Sequence, residues 1–187
     1  SWFKPTYRRA PVYIKIEMIV NYETWGIYNS VMSEYSYNIN RHSPDPILYD
    51  SKSRNGEHLM FHGASKRNIY SLCSNGAEPG MYAGSSNGCL YGCGTYLGWS
   101  AKADQYAIGD EDGVMRMLCV GVKPGRIYCE KDICCGQTKP PDNYDSIFAE
   151  SGVANGGTQF NDELVIFEGK RIRCKYLIKY KYNPEDD

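Results

Sequence analysis

From Val114 to Tyr182, five runs that read as strands follow one another with only turn signals between them: Val114 to Val122, Arg126 to Cys129, Asp145 to Ala149, Glu163 to Phe167 and Lys175 to Tyr182. The separators are Lys123-Pro124-Gly125, Pro140-Pro141, Asn155-Gly156-Gly157 and Glu168-Gly169, where Pro fixes φ and Gly frees it for a reversal. Strands that do not alternate regularly with helices argue for an α+β fold on a largely antiparallel sheet.

The first half of the chain supplies the remaining elements. Val12, Ile14, Ile16, Met18 and Val20 alternate with Tyr13, Lys15 and Glu17, which predicts a strand with one buried face. Asn21 is placed to cap a helix with Glu23 in its first turn, and Trp25, Tyr28, Met32 and Tyr35 recur at helical spacing. Residues 38 to 57, broken by Pro44, Pro46 and Gly56, read as a long polar loop.

An apolar strand, Leu59-Met60-Phe61, follows and ends in His62-Gly63. Lys66 to Ser74 then forms a short helix with Ile69, Leu72 and Cys73 inward, stopped by Gly76. Residues 77 to 94, rich in glycine, read as a flexible loop closing in a tight turn. Thr95 to Leu97 makes a short strand, and Ser100 is expected to cap a helix through Ala101 to Ile108. The tally is seven or eight strands and three short helices, with residues 1 to 10 as an arm of low order and 11 to 187 as a single domain.

Net charge and cysteine usage narrow the function classes. A formal charge of −1 leaves no basic surface for gripping nucleic acid through its phosphates, and the apolar runs fall far short of a membrane span. Eight cysteines permit a disulfide framework, but no CxxC pair exists, Cys134 and Cys135 are adjacent, and His42 and His58 are the only histidines besides His62. No standard zinc ligand set is evident, so no metal is expected, and free, partly buried thiols are favoured over disulfides. That favours an intracellular setting, with secretion as the alternative. The chain begins at Ser1, as a processed product or an excised domain does, so any targeting signal is expected to lie outside it.

The residues carrying chemistry start at His62-Gly63. A strand that delivers a polar ring and then a residue without Cβ lets another backbone or a ligand come close, as a pocket floor requires. Alone, a histidine at a strand end is more often a satisfied structural residue. Gly92-Cys93-Gly94 lacks the third glycine and the βαβ surroundings of a dinucleotide-binding turn. Phe61-His62-Gly63, Gly92-Cys93-Gly94-Thr95-Tyr96 and Asp162-Glu163-Leu164-Val165-Ile166-Phe167, in that order, resemble the His-Tyr-Glu signature of the poly(ADP-ribose) polymerase catalytic domain, a diphtheria-toxin-like class of ADP-ribosyltransferases.

The resemblance continues through most of the chain. The strand and helix of residues 12 to 28 are similar to the family's opening pattern, Lys102 to Tyr106 to its KS..Y helix, and Met117 to Gly125 to its following strand and turn. Pro140-Pro141 with Tyr144-Asp145-Ser146, and the closing Tyr176-Leu177-Ile178-Lys179-Tyr180, also have counterparts.

The resemblance implies NAD+ as ADP-ribose donor, bound in the cleft of a split antiparallel sheet, with cleavage of the nicotinamide–ribose bond and transfer to a protein acceptor, itself included, or to a growing ADP-ribose chain. It implies that the main chain of Gly63 grips the nicotinamide carboxamide, that Tyr96 and Tyr106 stack on the ring, and that His62 bonds the adenosine ribose. Glu163 would stabilise the oxocarbenium-like transition state, Asn68 would contact the adenosine side, and residues 77 to 91 would take the place of a donor loop.

Two departures qualify this. The family's pocket serine falls on Ala103, with Ser100 as a nearby substitute, and Tyr96 to Tyr106 spans one residue fewer than usual. Leu97-Gly98-Trp99 replaces the family's usual Phe-Ala after the tyrosine. Hydrolysis of NAD+, as in a glycohydrolase or secreted toxin, and a binding module without catalysis stay as alternatives.

Overall fold

The computed structural model describes residues 11–31, 36–37, 57–77, 90–130, 132–149 and 162–183. The long loop of residues 38 to 56, most of the glycine-rich span before Leu90, and the Asn155-Gly156-Gly157 turn signal lie outside these residues. So do Met32 and Tyr35, expected to extend the first helix.

The fold is α+β, with two sheets. The first has the order β1-β9-β5-β3, built from β1 (Tyr13–Met18), β9 (Ile172–Lys181), β5 (Met115–Val122) and β3 (His58–Gly63), all antiparallel. The second has the order β2-β6-β7-β8-β4, from β2 (Ser36–Tyr37), β6 (Arg126–Glu130), β7 (Ser146–Ala149), β8 (Glu163–Ile166) and β4 (Thr95–Leu97). Its β7-β8 and β8-β4 pairs are antiparallel, whereas β2-β6 and β6-β7 are parallel. The second sheet is therefore mixed, a detail that strand runs in a sequence do not specify.

Met60, Leu118 and Leu177 of the first sheet pack with Leu97, Phe148 and Leu164 of the second in one apolar core, and among the described residues one backbone bridge joins the two sheets. The N–H of Phe61 on β3 donates to Gly98 O at 2.9 Å, and the N–H of Gly98, just past β4, donates to Phe61 O at 3.0 Å. On its other side β3 pairs with β5 along its whole length, from His58 opposite Val122 to Gly63 opposite Met117.

Three helices brace this arrangement. In α1 (Tyr22–Ser30), Asn21 caps as the sequence predicts, its side chain accepting from the Thr24 N–H at 3.1 Å. Tyr28 is buried at its C-terminal end, with its hydroxyl donating to Glu57 at 2.8 Å. The Lys123 ammonium donates to the Tyr28 and Val31 carbonyls at 3.2 and 2.9 Å, placing a cation at the negative end of the helix dipole. Helix α2 (Lys66–Asn75) buries Ile69 and Leu72 and ends at Gly76, whose φ of 79° suits a residue without Cβ.

Helix α3 (Ser100–Tyr106) corrects one expectation. Its N-cap is Trp99, with extended backbone angles and no side-chain cap bond, so Ser100 lies inside the first turn and is buried. The helix stops at Tyr106 rather than Ile108. It packs Ala103 and Ala107 against Phe61, Met117, Cys119 and Ile178 of the first sheet.

A second correction concerns β1. Its alternation is real, yet the face expected to be buried is open: Ile14 is 53%, Ile16 62% and Met18 69% exposed. The seven cysteines among the described residues form no disulfide with one another.

Between α3 and β5 the chain turns on Asp110. Its Oδ1 accepts from the N–H groups of Asp112 and Val114 at 3.1 and 2.9 Å, and its Oδ2 from Arg116 at 2.7 Å. The Val114 N–H foremost, then Arg116, holds the Asp110 carboxyl down at about 2, below the ordinary 3.8. A depressed carboxyl stabilises the fold above its unfolded pKa, and this contribution disappears as pH falls through the folded value. Between about pH 4 and 2, wild type is therefore expected to lose stability faster than Asp110→Asn, as read from urea midpoints along a pH series. Parallel curves would remove Asp110 from the acid response.

Candidate functional site

The site is assembled by register. In the second sheet Tyr96 pairs with Val165, and Glu163 stands two residues from Val165 on the same strand, so Tyr96 and Glu163 share one face. Tyr91, Ile147, Ala149, Val165 and Phe167 form a packed apolar layer on that face, with Tyr96 against it. Helix α3 contributes from above: Lys102 and Tyr106 are four residues apart and therefore on one side of it.

These pieces meet at a buried ion pair. Lys102 Nζ contacts Glu163 Oε1, with both side chains more than nine-tenths buried. The same ammonium lies 5.6 Å from the centroid of the Tyr96 ring and 5.6 Å from that of Tyr106. Two electron-rich faces and a carboxylate thus converge on one cation. Burial lowers the Lys102 pKa, and the Glu163 charge opposes that shift. Removing either partner would strand the other in a medium that solvates charge poorly.

His62 joins across the split between sheets. Its Nδ1 lies 2.9 Å from Tyr96 O. A carbonyl oxygen only accepts, so Nδ1 carries the proton and the neutral ring presents Nε2 as an acceptor. Burial pushes the His62 pKa below its usual value, favouring that neutral form.

The Tyr96 hydroxyl is itself fastened. It accepts from the Tyr91 N–H at 2.9 Å and donates to Gly92 O at 2.8 Å, pinning the turn that precedes β4. Tyr91 and Gly92 are buried. Tyr96→Phe keeps the ring but removes the hydroxyl that both backbone groups use, so a loss of about 1–3 kcal/mol in unfolding free energy is expected. An unchanged denaturant midpoint would count against this anchoring.

Gly63 allows a close approach, and what approaches is helix α3. A Cβ built at Gly63 would stand 1.7 Å from Ala103 O and 3.1 Å from Ala107 N, on top of a helical hydrogen bond. Ala103 is buried in the apolar cluster with Phe61 and Met117, so this position works as core. Gly98 has a similar logic with a softer neighbour: its Cβ would meet Lys102 Cδ at 2.8 Å, so the glycine leaves room for the lysine stem. The Leu97-Gly98-Trp99 departure is thereby linked to the ion pair.

Of the residues singled out from the sequence, His62, Gly63, Tyr96, Ala103, Tyr106 and Glu163 are drawn together by these contacts. Asn68 sits half-buried in the first turn of α2, its N–H donating to Ser65 Oγ at 3.4 Å, and Ser100 is buried at the start of α3. Neither contributes to the contacts around the Lys102 ammonium. Lys102 is the residue that sequence reasoning passed over. Its place at the head of the KS..Y resemblance, four residues before Tyr106, was the available signal.

A family model described as the poly(ADP-ribose) polymerase catalytic domain matches residues 14–160. That span includes His62, Gly63, Tyr96, Lys102 and Tyr106 and ends before Glu163. Among curated proteins, the mouse Protein mono-ADP-ribosyltransferase PARP4 is 30% identical over 133 residues, covering 65% of this chain. The matched region spans only 7% of that mouse protein's length.

Proposed function

The chain belongs to the poly(ADP-ribose) polymerase catalytic-domain family, and from that premise we propose that it transfers ADP-ribose from NAD+ to a protein acceptor. The observation that carries the reading is the buried Glu163–Lys102 pair set against the faces of Tyr96 and Tyr106. Nicotinamide in NAD+ is a flat cation, and two tyrosine faces already directed at a positive charge suit it. The Glu163 carboxylate neutralises Lys102, so an incoming pyridinium meets a neutral pair instead of a bare ammonium.

Cleavage of the bond from ribose to nicotinamide returns electrons to the ring and moves positive charge onto the ribose. A fixed carboxylate beside that ribose stabilises the charge as it develops, which is the role assigned to Glu163. Lys102 holds the carboxylate in position. The main chain of Gly63 grips the nicotinamide amide, and His62 Nε2 accepts from an adenosine-ribose hydroxyl, with Asn68 nearer the adenine side. Ala103 supplies no hydrogen bond to the amide, which costs about 0.5–1.5 kcal/mol of NAD+ affinity relative to a serine. Ser100 takes no part in this reading.

The mouse relative is named as a mono-ADP-ribosyltransferase, and addition of single units is proposed for this chain too. The test uses NAD+ labelled on its adenine, with the protein itself and a mixture of proteins as acceptors. Label fixed to protein as one unit is the expected result. Free ADP-ribose alone would indicate hydrolysis, and intact NAD+ with no thermal stabilisation of the protein would indicate a module without catalysis. Either outcome overturns the proposal.

A further inference from the structure

Strand β1 ends the first sheet with its outer edge unpaired among the described residues. It also carries an apolar row, Val12, Ile14, Ile16, Met18 and Val20, each more than half exposed. An open edge with an apolar face is a template for another strand unless something blunts it. No proline or bulge blunts β1 between Tyr13 and Met18.

The ladder shows which groups are free to pair. Ile19 N–H donates to Lys175 O at 2.9 Å, and β1 keeps an unbroken register on β9 from Tyr13 opposite Lys181 to Met18 opposite Tyr176. Ladder bonds alternate along an antiparallel strand, so Tyr13, Lys15 and Glu17 direct their backbone groups to β9, and Ile14, Ile16 and Met18 direct theirs outward.

We propose that β1 pairs antiparallel with β1 of a second copy of this chain about a twofold axis at Ile16, joining two four-stranded sheets into one. The sequence of β1 is self-complementary in that register. Ile16 faces Ile16 and Ile14 faces Met18, so the apolar rows lie side by side. Lys15 of each copy faces Glu17 of the other. These two residues already attract each other within one chain at 2.8 Å, and Lys179 reaches Glu17 at 2.7 Å, so the pairing extends an existing charge network. Twofold closure uses up the edge on both sides and stops at a dimer.

Light scattering over a concentration series reads the result directly. Wild type is expected to move from 21.2 kDa toward twice that mass as concentration rises. Ile16→Lys opposes two ammonium groups at the axis and should stay at 21.2 kDa, and because Ile16 is 62% exposed the fold tolerates the change. Lys15→Glu alone and Glu17→Lys alone each set like charges against like and should be monomeric. Mixed in equal amounts they should form a dimer, since every Glu then faces a Lys. A wild type that stays monomeric at all concentrations, species larger than a dimer, a dimer that survives Ile16→Lys, or a mixture that stays monomeric would each overturn the proposal.

Discussion

Glu163→Gln is expected to lower the rate of ADP-ribose transfer about 10²–10³-fold, the scale seen when one preorganised stabiliser of developing charge is removed. It is also expected to destabilise the protein before any NAD+ is added. Glu163 and Lys102 are both buried and paired. Taking away one member of such a pair costs about 3–5 kcal/mol, because the remaining charge keeps its desolvation penalty and loses its partner.

Stability and activity can be separated. Lys102→Met combined with Glu163→Gln replaces the pair by neutral groups of similar size, which commonly recovers stability. The double variant should melt near wild type and still fail to transfer. Recovery of transfer in the double variant would remove Glu163 from the reaction. The pH dependence adds a sign. Burial already lowers the Lys102 pKa, and Glu163 is what opposes the shift. In Glu163→Gln that pKa falls further, the unfolded state binds more protons, and stability rises with pH up to the unfolded value near 10.5. The deficit relative to wild type should therefore shrink from neutral toward alkaline pH.

Much of the fold could be read from the chain because local chemistry and tertiary use coincide there. Asn21 caps α1, Gly76 ends α2, and Thr95 to Leu97 is a strand, as their residue types require. The alternation in β1 was also readable, but alternation reports only that one face is apolar. It does not say whether this chain covers that face. Ser100 misled for a related reason: a serine before a helical run suits the cap, while the extended residue here is Trp99 and the serine is one step inside. In the site, the order of His62, Tyr96 and Glu163 was visible. Lys102 was not, since a lysine on a short helix is usually solvated and only the third dimension brings it under two tyrosines and onto a carboxylate.

Gly63→Ala tests which kind of approach the glycine serves. If the missing Cβ served only a ligand, the variant would fold normally and lose NAD+ binding. The structure indicates a different loss. The new Cβ would lie 1.7 Å from Ala103 O and 2.6 Å from Ala103 C, both backbone atoms of α3. Backbone in a hydrogen-bonded helix cannot swing aside as a side-chain end does, so α3 must lift away from β3, taking Lys102 and Tyr106 with it. Overpacking a core typically costs about 1–3 kcal/mol, and a clash with main chain belongs at or above the upper end. Gly63→Ala should thus melt well below wild type without NAD+ and show no transfer. Gly98→Ala is the control, because its Cβ meets the flexible Lys102 stem at 2.8 Å and disturbs the ion pair alone. It meets side chain and no backbone, so it should lose less stability than Gly63→Ala and transfer more slowly. A Gly63→Ala protein with wild-type melting and no NAD+ affinity would instead show that the ligand, not α3, is what the missing Cβ makes room for.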